Sequence, residues 1–548
     1  MSDTSDDQGI PAPEGNADLI DTDYVIGQDN IETQIGPFGL DIHNPVFAIS
    51  GLAVIAFVFY TLALPEQAGS VFSWLFDSVT KGFDWFFLGA ANIFVIFCLL
   101  LIVTPVGSVR LGGADASPDY TYAGWFAMLF AAGMGIGLMF YGVSEPMSHF
   151  SSSIGGVAMG EDGVRTDWAP LGGAEGNEEA ATRLAFAATI FHWGLHPWAI
   201  YAVVALALAL FSYNKGLPLT IRSAFYPILG ERVWGWPGHI IDVLAVFATL
   251  FGLATSLGFG ATQANAGLNE LFGIPVSSTT EVILISAITA VALISVLRGL
   301  DGGVKVLSEI NMGLAFLLLI FVLLAGHTMA LLTGFVDYLG AYLQYLPALS
   351  NPIGREDVSF MQGWTSFYWA WWISWSPFVG MFIARVSRGR TVREFVVCVL
   401  LIPSLVCVLW MSVFGGNAIQ QVLNDGYTAA QEAELPVKLF KMLDVMPLSS
   451  ITSLIGIVLV IVFFVTSSDS GSLVIDTITA GGKVDAPVPQ RVFWCIFEGA
   501  VAIVLLLSAG GLASLQSMVI STGLPFTIVL LVMCWAIWRG LMSERRNT

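Results

Sequence analysis

The 548-residue chain is 56% hydrophobic and only 11% charged, where a soluble domain carries about 25% charged residues. Its apolar residues fall in blocks of roughly 18 to 25, the length that crosses ~30 Å of hydrocarbon at 1.5 Å per residue. That length excludes the short amphipathic stripes of a soluble helical protein and the alternation of a membrane β-barrel, and with a net charge of −20 no nucleic-acid partner is expected.

In chain order, residues 1–45 come first, with ten acids and no Lys or Arg. They have no basic n-region and no early apolar core, so they do not read as a signal peptide. The expectation is an acidic disordered cytoplasmic tail, solubilising or regulatory. A long apolar region, 46–540, holds twelve candidate spans. The first six are 46–64, 84–105, 121–142, 186–212, 240–263 and 280–298. The others are 311–333, 364–386, 393–415, 451–470, 491–509 and 517–538. A short basic tail, 541–548, closes the chain.

An even span count puts both termini on one side of the membrane. Fifteen of the 21 Lys and Arg fall in the loops and tail of that side and six on the other, which predicts cytoplasmic termini. The outer loop 160–183 is acidic (Glu161, Asp162, Asp167, Glu175, Glu178, Glu179), and with the net charge it suggests a high-salt habitat. Beyond span 7, Tyr338, Tyr342 and Tyr345 share one face of an expected interfacial helix within 335–349. Cys98, Cys398, Cys407, Cys495 and Cys534 lie in or beside spans and read as apolar packing residues, not as disulfides or metal ligands.

Spans 1 and 2 stand apart, and spans 3–7 and 8–12 read as two halves. Inverted five-helix repeats place binding sites where helices are interrupted. Span 3 carries Gly133-Met134-Gly135-Ile136-Gly137 and span 8 carries Ser376-Pro377-Phe378-Val379-Gly380. Breaks are expected at both places, the alternative being close packing through small residues.

Aromatics gather in span 4 (Phe191 to Tyr201) and span 8 (Phe367 to Trp375). Trp364, near the start of span 8, fits an interfacial position, whereas Trp371, Trp372 and Trp375 lie deeper. Several indole faces aimed at one point make a cage for a trimethylammonium, each contributing about 0.5–2 kcal/mol. The alternative is packing. Span 10 holds Thr466, Ser467, Ser468 and Ser470, more hydroxyls than back-bonding to i−4 carbonyls needs. Together with unwound carbonyls of span 3 they suit Na⁺. A proton-coupled carrier would use His192, His196 or Asp469 as relays. No nucleophile with its base and no metal motif is evident, so an enzyme is not expected.

Three stretches, Gly133 to Pro146, Phe191 to Tyr201 and Trp369 to Phe395, resemble the betaine/choline/carnitine transporter family. A weaker match runs from Gly299 to Met312. The resemblance implies twelve spans with LeuT-type inverted repeats in an all-α integral membrane protein, and a homotrimer. It implies no cofactor other than a coupling sodium ion. The ammonium cage would be Trp193, Trp198 and Tyr201 with Trp371, Trp372 and Trp375. The glycines Gly133, Gly135 and Gly137 would meet the carboxylate of glycine betaine, and choline carriers of the family tend to have an acid where this chain has Gly137. One sodium would be held by Ala131, Met134, Phe463, Thr466 and Ser467. A second would use Thr249 and Phe378, but Leu253 stands where the family's second threonine belongs. Choline, carnitine or ectoine, a proton gradient or exchange remain the alternatives. The end of the chain at Thr548 lacks the long basic helix of the osmosensing members.

Overall fold

The computed structural model describes residues 10–36, 38–298 and 304–547. The apolar blocks are helical, because backbone polar groups in hydrocarbon must be satisfied within their own segment. The first half comprises α1 (Val46–Ala63), α2 (Pro65–Val103), α3 (Tyr122–Gly133), α4 (Ile136–Gly155), α5 (Glu178–Trp193), α6 (Leu195–Ala209), α7 (Trp236–Phe272), α8 (Ser278–Arg298) and α9 (Val304–Ala325). Then come α10 (Thr328–Leu349), α11 (Phe367–Val386), α12 (Val392–Asp425), α13 (Ser449–Thr479), α14 (Val488–Leu507) and α15 (Leu512–Asn547).

Among the described residues, ten helical runs are long and apolar enough to cross a membrane, and eleven if α3 and α4 form one bent span. The Trp-rich α11 is a 20-residue helix outside that set, because indole, phenol and hydroxyl groups dilute its apolarity. Burial sorts the runs. The α5–α6 run is 94% buried over its most apolar stretch and α8 only 22%, so α5–α6 is central and α8 faces lipid. Against the centre pack α11 on α6, α4 on α5 and α12 on α4, while α13 lies along α7. The chain is therefore an all-α integral membrane protein with a two-stranded appendage.

That appendage corrects the expectation of a disordered acidic tail. From residue 10 onward the segment 1–45 is ordered, and residues 1–9 lie outside the described residues. β1 (Asn30–Ile35) and β2 (Phe38–His43) form an antiparallel hairpin pairing Asn30 with His43. Glu14 pairs with Arg388 and Asp18 with Lys215. Lys483 holds Asp41 and Glu32. Tyr24 stacks on Trp234 with ring centroids 4.2 Å apart, and Arg222 lies over both rings. The acids, read as merely solvated, meet the basic loops of the face they share. The described part of the expected tail 541–548 is likewise not separate, and residue 548 lies outside the described residues. Residues 541–547 continue α15, and buried Glu544 lies 2.9 Å from Lys215. The Asp18 N–H donates to Glu544 Oε1, so the two described ends meet on one face.

Span 3 breaks as expected. α3 ends at Gly133, Met134 and Gly135 are extended, and α4 leaves at 64°. Span 8 does not break, which is the second correction. Pro377 sits inside continuous α11. A proline removes the N–H that would reach the carbonyl four residues back. Here that carbonyl, Ile373 O, accepts from the Ser376 hydroxyl at 2.6 Å. Gly380 serves the packing alternative, since a Cβ there would lie 2.8 Å from Val204 Cγ1 on α6. The unforeseen break is in span 4, at Gly194 between α5 and α6, where a Cβ would meet the Ile190 carbonyl at 2.7 Å.

The helix expected around 335–349 exists but starts earlier, at Thr328. Tyr338 stacks on Phe186 of α5, so this face packs on protein. The match at 299–303 lies outside the described residues. The cysteines are all free, four of them buried.

Candidate substrate and cation site

The break in span 3 creates two helix ends of opposite sign. At the start of α4 the N–H groups of Ile136, Gly137 and Leu138 have no partner within the helix, and the first intrahelical donor is Met139, to Gly135 O. This end carries a partial positive charge. At the end of α3, carbonyls approach the gap and carry the opposite partial charge.

Two cavities flank the break. One is lined by Ala132 to Leu138, Trp193, Tyr201, Ser256, Trp371, Trp372, Trp375 and Val379. Its volume of about 50 Å³ is several times the roughly 10–15 Å³ that one water needs. The structure therefore gathers Gly133, Gly135, Gly137, Trp193, Tyr201, Trp371, Trp372 and Trp375 around one space, drawn from the α3–α4 break, the α5–α6 segment and α11. Trp198 is not part of the lining. It is fully buried behind Tyr201, its ring edge-on at 5.3 Å, and tilted against Trp372 at 6.1 Å. Trp198 and Tyr201 both lie on α6 beyond the kink at Gly194, and of the two only Tyr201 reaches the lining.

The rings meet edge to face, Trp193 on Trp372 at 5.1 Å and Tyr201 on Trp372 at 5.1 Å. The four lining indoles all donate to protein acceptors. Trp193 donates to Glu145 Oε2 at 2.7 Å, Trp371 to Ser256 Oγ at 3.1 Å, Trp372 to His192 O at 3.0 Å and Trp375 to Gly252 O at 2.9 Å. With their N–H groups committed, the rings are fixed in orientation and offer π-surface. Gly137 must stay small, since its Cβ would lie 2.8 Å from Trp193 Cη2 and 3.0 Å from Trp371 Cη2.

The second cavity contains Ala131, Met134, Phe463, Thr466 and Ser467 together with Ser308, Asn311, Phe378 and Ser470. The five residues expected for the first cation are thus neighbours. Thr466 Oγ1 donates back to Val462 O and Phe463 O, and its lone pairs stay free for a cation. Trp375, Val379, Met134, Gly135 and Ala132 line both cavities, so a side chain that moves for one occupant moves for the other. Phe378 lines this second cavity and Thr249 does not. Thr249 bonds back to Ala245 O, and Leu253 packs on Gly471 between α7 and α13. The pair expected for a second sodium is therefore not brought together, because leucine fills the space.

None of the relay candidates lines either cavity. His196 Nε2 is 2.9 Å from Asn92 Oδ1, and Asp469 accepts from Ser295. His192 belongs to a buried cluster with Glu145 and His149, whose ligand-type atoms lie within 4.8 Å of one another. Glu145 stands inside the Gly133 to Pro146 stretch, where its only signal in the sequence is a lone acid among apolar and small residues. Trp364 also differs from its interfacial reading, lying 4.7 Å from the ring of His149. Ser256, which holds Trp371, had only its position near Leu253 to signal it.

A family model described as betaine/carnitine/choline transporters matches residues 45–546. Over 543 residues the chain is 67% identical to a glycine betaine/proline/choline transporter of Vibrio parahaemolyticus, covering 99% of this chain and 98% of that one. It is 56% identical to glycine betaine transporter 1 of the same bacterium, over 96% and 98% of the two chains. With a glycine betaine transporter of Acinetobacter baylyi it shares 42% identity over 91% and 74%. Among solved structures, a manganese transporter of Eremococcus coleocola aligns with a TM-score of 0.42 at 15% identity, over 78% of this chain and 82% of that one. With a match along nearly its whole length and identities this high, the chain belongs to the betaine/carnitine/choline family of transporters and is not an enzyme.

Proposed function

We propose that this transporter imports glycine betaine across the plasma membrane in symport with Na⁺, with both termini cytoplasmic, as a compatible-solute carrier. The observation that carries the reading is the set of four indoles whose N–H groups are tied to protein while their rings surround one cavity. A trimethylammonium has no N–H to donate, so it is recognised by ring faces. Free N–H groups at the start of α4 complement a carboxylate. Glycine betaine carries both groups, and the names of the relatives favour the same solute. The cavity of Ala131, Met134, Phe463, Thr466 and Ser467 supports one sodium, and Leu253 argues against a second. On family resemblance the assembly is a homotrimer.

Uptake of labelled betaine into proteoliposomes, with and without an inward Na⁺ gradient, tests the reading. Gradient-dependent accumulation is expected, and equal uptake in both conditions removes the sodium. Thr466→Ala should raise the Na⁺ concentration for half-maximal uptake more than it raises the apparent KM for betaine, and an unchanged sodium response removes α13 from the site. Choline is the second reading, because the 67% identical relative names it too. Competition against labelled betaine ranks the two. Gly137 favours betaine, since an acid there would collide with Trp193.

A further inference from the structure

Glu145 lies on α4, fully buried, with four groups converging on its carboxyl. Oε1 is 2.6 Å from His192 Nδ1 and 3.1 Å from His149 Nε2. Oε2 is 2.7 Å from Trp193 Nε1 and accepts from the Tyr368 hydroxyl at 2.5 Å. An indole N–H can only donate, and a carboxylate that is ionised only accepts. With Nδ1 of His192 donating to Glu145, its Nε2 is the acceptor for the Thr365 hydroxyl at 2.9 Å. Both carboxyl oxygens of Glu145, both ring nitrogens of His192 and Nε2 of His149 are thus engaged with one another and with neighbouring side chains, and His149 Nδ1 alone has no hydrogen-bond partner. They form a fastening, and an ion entering it would have to break those bonds.

The fastening reaches the cage twice. Trp193 hangs from Oε2 directly. Trp372 donates to the backbone carbonyl of His192, whose side chain is bound to Oε1. Tyr368, bound to the same Oε2, stacks on the His192 ring at 4.7 Å and meets Trp193 edge-on at 5.7 Å. Glu145 itself does not line the cavity. A buried carboxylate accepting an indole N–H also pushes electron density into that ring, and in a low-dielectric surround such a bond polarises its partner strongly. A richer ring face attracts a cation better.

We propose that Glu145 is a positioning residue for quaternary-ammonium recognition, its carboxylate holding Trp193 directly and Trp372 through His192 so that both ring faces are presented to the cavity. This rests on the substrate reading given above. The test is transport kinetics and fluorescence binding of betaine in lipid nanodiscs and proteoliposomes, for the wild-type protein, Glu145→Gln, Tyr368→Phe and the double variant. A glutamine keeps the shape but turns one acceptor into a donor facing donors. Glu145→Gln should raise KM and Kd about ten-fold or more, the effect of losing a hydrogen bond to a charged group. Its kcat should stay within about two-fold. Tyr368→Phe should raise KM by about three-fold, and the double variant should be no worse than Glu145→Gln alone, because both act through one carboxylate. A purely structural role would lower the folded fraction and leave the Kd of the folded remainder unchanged. That result, or a Glu145→Gln Kd within about two-fold of wild type, overturns the proposal. If Glu145→Gln fails to fold, Tyr368→Phe decides on the same readout, and an unchanged KM overturns it. If the wild-type protein itself binds neither betaine nor choline, the substrate reading falls and this inference falls with it, a result distinguishable by the wild-type arm alone.

Discussion

Each ring in the cage is held by a separate acceptor, so single substitutions should separate recognition from packing. Trp372 touches Trp193, Trp198, Tyr201 and Trp371 and lines the cavity. Trp372→Leu should raise the apparent KM for betaine between about two-fold and thirty-fold, the span that ~0.5–2 kcal/mol of cation–π attraction allows. Trp74, 64% exposed on α2, provides the contrast, and Trp74→Leu should leave KM unchanged in the same uptake assay. Gly137→Ala should be more damaging than its size suggests. Its Cβ would sit under 3.0 Å from Trp193 and at 3.0 Å from Trp371, displacing two cavity-lining rings that meet edge to face. Betaine binding should fall while the folded yield holds, as read by fluorescence titration of purified protein. At this scale the sequence was informative about residue type and weak about direction. Trp193, Tyr201, Trp371, Trp372 and Trp375 announced themselves by an excess of rings deep in apolar blocks. Trp198 carried the same signal and points behind the wall. Glu145 carried an opposite signal, a lone acid in an apolar stretch, whose meaning depends on donors up to 223 residues away.

The helices show why one breaker breaks and another does not. At Met134 and Gly135 no side chain replaces the lost helical bonds, and the chain turns through 64°. At Pro377 the neighbouring Ser376 supplies a donor to the orphaned Ile373 carbonyl, and α11 continues. A buried acceptor left without a partner costs about 1–3 kcal/mol. Ser376→Ala should therefore lower the thermal stability of the purified protein, whereas Ser470→Ala, at the rim of the cation cavity, should not change it, both read by melting in detergent. Glycine content and proline position were visible in the sequence, and they located both candidate breaks. Which of them was repaired depended on one hydroxyl contact, 2.6 Å long, that residue spacing alone does not reveal. The kink at Gly194 was hidden for a related reason. The glycine stands among aromatics and histidines that mark a cage, not a kink, while the need for a glycine comes from the Ile190 carbonyl beneath it.

Across the whole molecule, charge does the organising on the face where both described ends meet. Glu14, Asp18, Glu32 and Asp41 reach Arg388, Lys215 and Lys483 on three separate loops, so the N-terminal segment straps together connections that lie far apart in sequence. The composition revealed an acidic segment and a basic face, but not that the two pair, because pairing also needs the apolar seat of Tyr24 on Trp234 and the hairpin that carries His43. His43 is fully buried, with Nε2 3.3 Å from Arg222. Burial pushes its pKa down to about 3, helped by the charges of Arg222 and His239. An undocked His43 titrates near ~6.5. Between those values the undocked segment binds a proton that the docked one refuses, so docking is strongest above pH ~6.5 and weakens as pH falls toward 3. Hydrogen exchange of the β1–β2 hairpin should accordingly be slow at pH 7.5 and, after correction for intrinsic rates, faster at pH 5. His43→Leu removes the titrating group and should flatten that dependence, leaving only the response of the ion pairs to salt. A hairpin equally protected at both pH values in the wild-type protein would show that Arg222 and Tyr24 hold the strap without His43.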